Sequence, residues 1–133
     1  MKQIVNDALQ IIAIMKHERL PIREFLAKYA AYFTNMDQHS LIPPECRKYD
    51  RYSESAYIFL IGSYLYQRIE GKPITWLERR RFVKYPHFSE LFSRTLCSDP
   101  DRRFQSLDEL KNYLEEVQQH ENTIKKWDDD PAS

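Results

Sequence analysis

Glycine occurs only twice in this 133-residue chain, at Gly62 and Gly71. That scarcity excludes a phosphate-cradling loop of the G-x-G-x-x-G kind and leaves few turn residues for a sheet built of hairpins. Cysteine is equally rare. Cys46 and Cys97 form no C-x-x-C pair and no secretory framework, so buried free thiols in a reducing compartment are expected, with a lone disulfide as the less supported alternative. Net charge is also missing: 20 Lys plus Arg balance 20 Asp plus Glu, leaving no overall field to attract nucleic acid or an anionic membrane. The most apolar stretch, Ala56 to Ile69, is interrupted by Ser63, Gln67 and Arg68 and is too short to span a bilayer. Met1-Lys2-Gln3-Ile4 opens no signal-peptide core, and a soluble cytoplasmic protein is expected.

Aromatic residues are plentiful at 14%, with nine Tyr and seven Phe, enough bulk for one well-filled core in a chain of this length. Proline at 21, 43, 44, 73, 86 and 100 divides the chain, and the segments between carry helical periodicity. A first helix is expected from about Lys2 to His17, with Ile4, Ala8, Ile11, Ile12 and Met15 on one face. A second follows Pro21, its Ile22, Phe25, Leu26, Tyr29, Ala30 and Phe33 keeping the i, i+3, i+4, i+7 rule. Thr34 to Tyr52 shows little periodicity and reads as a long loop.

The third helix, Ser53 to Ile69, is apolar on nearly every side and is expected as a buried axle. Gly71 ends it as a C-cap. Thr75 and Glu78 suit a capping box for a fourth helix to about Lys84. Pro86 opens a fifth, with Phe88, Leu91, Phe92, Thr95 and Leu96 inward. Ser106 and Glu109 form a second capping box for a sixth, whose stripe is Leu107, Leu110, Tyr113, Leu114 and Val117. The expected architecture is all-α: about six helices around the central helix 53–69, one domain over residues 1–122, and a flexible tail over 123–133.

Three motifs fall in a particular order. Pro44-Glu45 comes first, then Gly62-Ser63-Tyr64-Leu65-Tyr66 with Gly71-Lys72-Pro73, then Leu96-Cys97-Ser98-Asp99-Pro100-Asp101-Arg102-Arg103. Together they resemble the C-terminal lobe of the protein kinases over roughly Ile42 to Gln119. Pro44-Glu45 is similar to the end of A-P-E, Ile58 to Pro73 to the central helix and the G-K-P after it, and the third motif to L-x-x-D-P-x-x-R. In that family the A-P-E carboxylate pairs with the last arginine. The resemblance thus implies an ion pair of Glu45 with Arg103, pinning a long loop to the helical core.

Phosphoryl transfer needs a loop over the phosphates, a strand lysine, a catalytic Asp and metal-binding Asn and Asp residues. No H-R-D and no D-F-G appears, and nothing corresponds to the small β-rich lobe. His17-Glu18-Arg19 with Arg23-Glu24 is a near match to the segment after the long E helix of kinases, with Glu24 close to the catalytic position. Ile22 to Phe33 has helical periodicity, however, and the next asparagine is Asn35, so Glu24 is expected to be a solvated surface residue. Where kinases carry an Asp that holds the catalytic loop, this chain has Tyr57. With no such loop to hold, the missing carboxylate is expected to have no role.

Other constellations are weak. His17, His39, His87 and His120 are scattered without metal-ligand spacing; Ser40, Ser53 and Ser55 lack a triad arrangement; Asp37 suits a turn. Trp76, Arg79, Arg80, Arg81 and Lys84 form one basic–aromatic cluster, a solvated helix face or a docking patch for a protein partner. No catalytic residue, cofactor or metal is expected. The expected function is a pseudokinase-like protein-interaction or regulatory module with a protein partner; the surface over the first two helices is covered by those helices themselves or takes the partner or a second copy. The alternatives are the C-lobe half of a split kinase and, disfavoured by neutrality, a small nucleic-acid binder.

Overall fold

The computed structural model describes residues 2–73 and 88–119. These residues form seven α-helices and no strand: α1 (Lys2–Met15), α2 (Ile22–Lys28), α3 (Gln38–Leu41), α4 (Pro44–Lys48), α5 (Glu54–Glu70), α6 (Ser89–Ser93) and α7 (Leu107–Gln119). Two 3-10 turns, Ala30–Phe33 and Pro100–Arg102, complete the set. The helix expected over residues 75–84 and the tail over 123–133 lie outside the described residues. Among the described residues no helix is long and apolar enough to cross a membrane.

The axle is α5. Every residue from Ala56 to Gln67 is buried, as expected of a helix with no polar face to give to water. Its ends follow from local chemistry. Ser53, in extended conformation, accepts a hydrogen bond at Oγ from Ala56 N (2.9 Å), satisfying one of the first-turn amides. Gly71 takes the left-handed conformation (φ 76°) and returns its N–H to Gln67 O at 2.8 Å.

Helix α1 lies antiparallel to the axle. Asp7, near its start, meets Arg68 near the end of α5, while Leu20, just past its own end, meets Tyr57 near the start of α5. Helix α7 also runs antiparallel to α1, tied by Lys16–Asp108 (2.5 Å) at one end and Asn6–Gln118 at the other. Val5, Ala8, Ile11, Ile12 and Met15 are buried along α1. The larger of these side chains stabilise the fold by about 1.5–3 kcal/mol each on the usual burial scale. The apolar stripe of α1 is therefore consumed by the core. Among the described residues only Tyr32 and Tyr49 are large hydrophobics exposed to solvent.

At Gly62 the chain after α6 presses on the backbone of α5. A β-carbon added there would lie 2.5 Å from Thr95 Cβ and closer still to Thr95 Oγ1. Only glycine leaves room for that approach. Phe88, Leu91, Phe92, Thr95 and Leu96 are all buried here, and the Thr95 hydroxyl, with no water to bond, donates to Leu91 O at 2.9 Å.

Two expectations fail locally. The second helix does not continue to Phe33: Tyr29 leaves helical geometry (φ −113°, ψ 34°) and a 3-10 turn follows. The Tyr29 hydroxyl is drawn back to Glu18 Oε1 (2.7 Å), while the tighter turn delivers Phe33 edge-on to Tyr64, ring centroids 5.9 Å apart. The stretch expected as a loop, Thr34 to Tyr52, contains α3 and α4. Each is shorter than two turns, so neither repeats an apolar position often enough to show a period.

Candidate functional site

The most heavily bonded polar group in the core is the guanidinium of Arg103. Asp99 and Pro100 set its approach. The Asp99 carboxylate accepts from Asp101 N (3.0 Å), Pro100 begins a 3-10 turn, and Arg103 leaves that turn extended (φ −79°, ψ 174°). Its side chain then runs inward over the Phe59 ring, 4.9 Å from the centroid, and the residue is only 1% exposed. Arg103 Nη1 donates to Glu45 Oε2 (2.6 Å) and Nη2 to Glu45 Oε1 (2.9 Å), the two-pronged geometry that only a guanidinium supplies.

The same arginine binds three further acceptors: Cys97 O through Nε (2.8 Å), and Ser55 O and Oγ through Nη1 (3.2 Å each). The resulting clamp joins α4, the first turn of α5 and the segment after α6. Glu45 retains 23% side-chain exposure, so the anion is wetter than its partner. No buried side-chain nitrogen or oxygen among the described residues is left without a partner. The cluster is a charge pair with every buried side-chain donor and acceptor satisfied.

A second polar contact holds the connection between α1 and α2. The Tyr57 hydroxyl accepts from Leu20 N (3.1 Å) and donates to Leu20 O (3.0 Å), grasping one residue by both backbone groups. Phe25 and Tyr52 flank the ring, at 5.0 and 5.3 Å between centroids. Burial pushes the Tyr57 phenol up to about 12, so the hydroxyl keeps its proton. Tyr57 therefore holds the connection between α1 and α2 with a hydroxyl, a role the sequence did not indicate. A phenol has both a donor and an acceptor, so it can hold a backbone unit without a charge.

The other polar residues of this region are committed or solvated. Glu18 receives the Tyr29 hydroxyl and the Lys28 ammonium, and these bonds, Tyr29 first, keep its carboxyl below the ordinary range. Glu24 is exposed on α2, and His17 and His39 are exposed too. Asp50 accepts from Arg23 N at 3.2 Å, at the start of α2. Ser53 caps α5, Ser55 serves the clamp and also donates to Pro100 O (3.3 Å), and Ser40 donates to Asp37. No group of three or more metal-ligating side chains forms among the described residues.

At the far end of α5, the Gln67 amide accepts from Asp37 N (2.9 Å) and donates to Asp37 O (3.3 Å). Beside it lies an open pocket of about 540 Å³ with a mixed lining that includes Asn35, Met36, Arg68, Lys72 and Pro73. Arg68 is engaged with Asp7 (3.1 Å) and with Tyr64 Oη (2.6 Å), so it does not point a free charge into that space. Cys46 is buried, its thiol pushed up by that burial; Cys97 is half-buried, and neither forms a disulfide. Trp76, Arg79, Arg80, Arg81 and Lys84, the expected docking cluster, lie outside the described residues, as do His87 and His120.

Glu45 and Arg103 were legible in the sequence as a pair. Ser55, Cys97 O and Leu20 were not, because each contributes through its backbone or an unremarkable hydroxyl. No family model, curated protein or solved structure matches the chain.

Proposed function

We propose that this chain is a noncatalytic helical module of the kinase C-lobe type, serving protein interaction or regulation. The observation that carries the reading is the Glu45–Arg103 pair. The resemblance implied that one carboxylate and one arginine, 58 positions apart, would clasp, and they do so bidentately beside the central helix. An arbitrary helical bundle has no reason to bury that particular pair.

Tyr57 adds support. By the resemblance it takes the position at which a kinase keeps a carboxylate to hold its catalytic loop, and its hydroxyl bonds Leu20, three residues after His17. A neutral hydroxyl in that place suits a loop that needs positioning but carries no chemistry. The split-kinase alternative gains nothing comparable, since its candidate base, Glu24, lies exposed on a helix.

Thermal-shift and calorimetric titration of the full chain with ATP, with and without Mg²⁺ or Mn²⁺, tests the proposal. No binding is expected. Saturable, metal-dependent nucleotide binding would overturn the noncatalytic reading.

A further inference from the structure

Although the chain is neutral as a whole, its charge is not evenly spread. Between the end of α4 and the start of α5 the sequence reads Arg47-Lys48-Tyr49-Asp50-Arg51, and all but the half-buried Asp50 are exposed. Tyr49, at 70% exposure, is the most exposed large hydrophobic among the described residues. No carboxylate of the described residues pairs with Arg47, Lys48 or Arg51. The one acid within the run, Asp50, is already bound to Arg23 N.

Arg23 joins the same surface from α2. Its guanidinium donates to Cys46 O (3.1 Å) and Arg47 O (3.3 Å), two carbonyls in the last turn of α4, which fixes a fourth cation beside the other three. Only two of its five donors are used in this way. Of the other acids close in sequence, Glu45 is paired with Arg103 and Glu54 accepts from Leu107 N (2.8 Å), so only Asp50 and Glu24 are left to offset four cations and the surface remains net positive.

We infer that this surface docks an acidic peptide segment of a protein partner. Four cations without carboxylate partners complement closely spaced carboxylates, and one of them is already held in place, which lowers the ordering cost of binding. A nucleic acid fits less well. The Lys48 ammonium sits over the Tyr49 ring at 5.7 Å from its centroid, covering a face on which a base would otherwise stack. The inference uses none of the residues Arg79–Arg81 and stands whether or not the chain is related to kinases. Nucleotide binding would defeat the function proposed above and leave this inference untouched.

The test is fluorescence anisotropy with fluorescein-labelled hexaglutamate, and hexauridylate as the rival ligand, titrated with the full chain at low salt. Saturable binding of hexaglutamate is expected. It should weaken about tenfold in Arg47→Ala/Lys48→Ala/Arg51→Ala and fade as salt rises. A variant that removes charge elsewhere, Arg102→Ala/Lys111→Ala, should bind as the parent does. Reversal at Lys48 alone (Lys48→Glu) should weaken binding in the same direction, with the far-ultraviolet circular dichroism unchanged. Absence of binding, equal loss in the control variant, an unaffected triple variant, or tighter binding of hexauridylate would each overturn the inference.

Discussion

At the amino end of α5, Glu45 and Arg103 close a two-pronged pair around Ser55, with the guanidinium out of contact with water. At the carboxyl end, Arg68 meets Asp7 where both remain partly exposed, and Gln67 holds Asp37 through an uncharged amide. The two ends do the same job, fastening an outer segment to the axle, in different surroundings. In the dry end each bond is strong and each unmade bond is expensive; in the wet end water can replace what is lost. Stability should therefore be concentrated at one end of a helix that is buried throughout its middle, from Ala56 to Gln67.

The largest effect should come from breaking the dry end. Glu45→Ala leaves a buried guanidinium without its anion, and a loss of about 3–5 kcal/mol is expected. Arg103→Ala should approach that value, tempered because the remaining carboxylate can reach water. Denaturant unfolding of both variants measures this; a cost typical of surface substitutions would erase the contrast. Next comes Gly62→Ala, which drives a methyl group into Thr95 and should cost about 1–3 kcal/mol through overpacking, read as a lower Tm.

Tyr57→Phe removes both bonds to Leu20 and should cost about 1–2 kcal/mol at neutral pH. It also has a pH signature. The folded-state phenol titrates at about 12, above the ordinary value of 10, so its share of the stability is full below pH 10 and is lost as pH rises towards 12. Tyr57→Phe should flatten part of that alkaline decline, which urea titrations between pH 9 and 12 would reveal. The smallest effect belongs to the wet end. Arg68→Ala should cost no more than about 1 kcal/mol, shrinking further in high salt; a salt-insensitive loss equal to that of Glu45→Ala would make the two ends alike.

How much of this was visible beforehand depends on how far each feature reaches. The axle was legible because its burial is all-round, and its ends because Ser53 and Gly71 act locally on the backbone. Partners distant in sequence were legible only for Glu45 and Arg103, through a resemblance rather than through periodicity. Helices α3 and α4 were hidden by their shortness. The capping box at α7 was half right: Ser106 Oγ accepts from Glu109 N (3.0 Å), but the Glu109 carboxylate turns to Arg94 instead of returning to Ser106. A local motif cannot anticipate a cation brought in by tertiary packing. Leu20 illustrates the limit, since its contribution to the fold is made by an N–H and a carbonyl that every residue but proline shares.

The clamp has a consequence in time as well as in energy. Arg103 finds all its acceptors only once α4, the first turn of α5 and the segment after α6 have converged. Such a contact is expected to join late, after the barrier to folding is crossed, and to act mainly on the rate of escape. In a chevron plot, Glu45→Ala should raise the unfolding arm and leave refolding nearly unchanged; a slowed refolding arm would instead put the clamp in the nucleus. The molecule would then owe its persistence, more than its formation, to one guanidinium closing last.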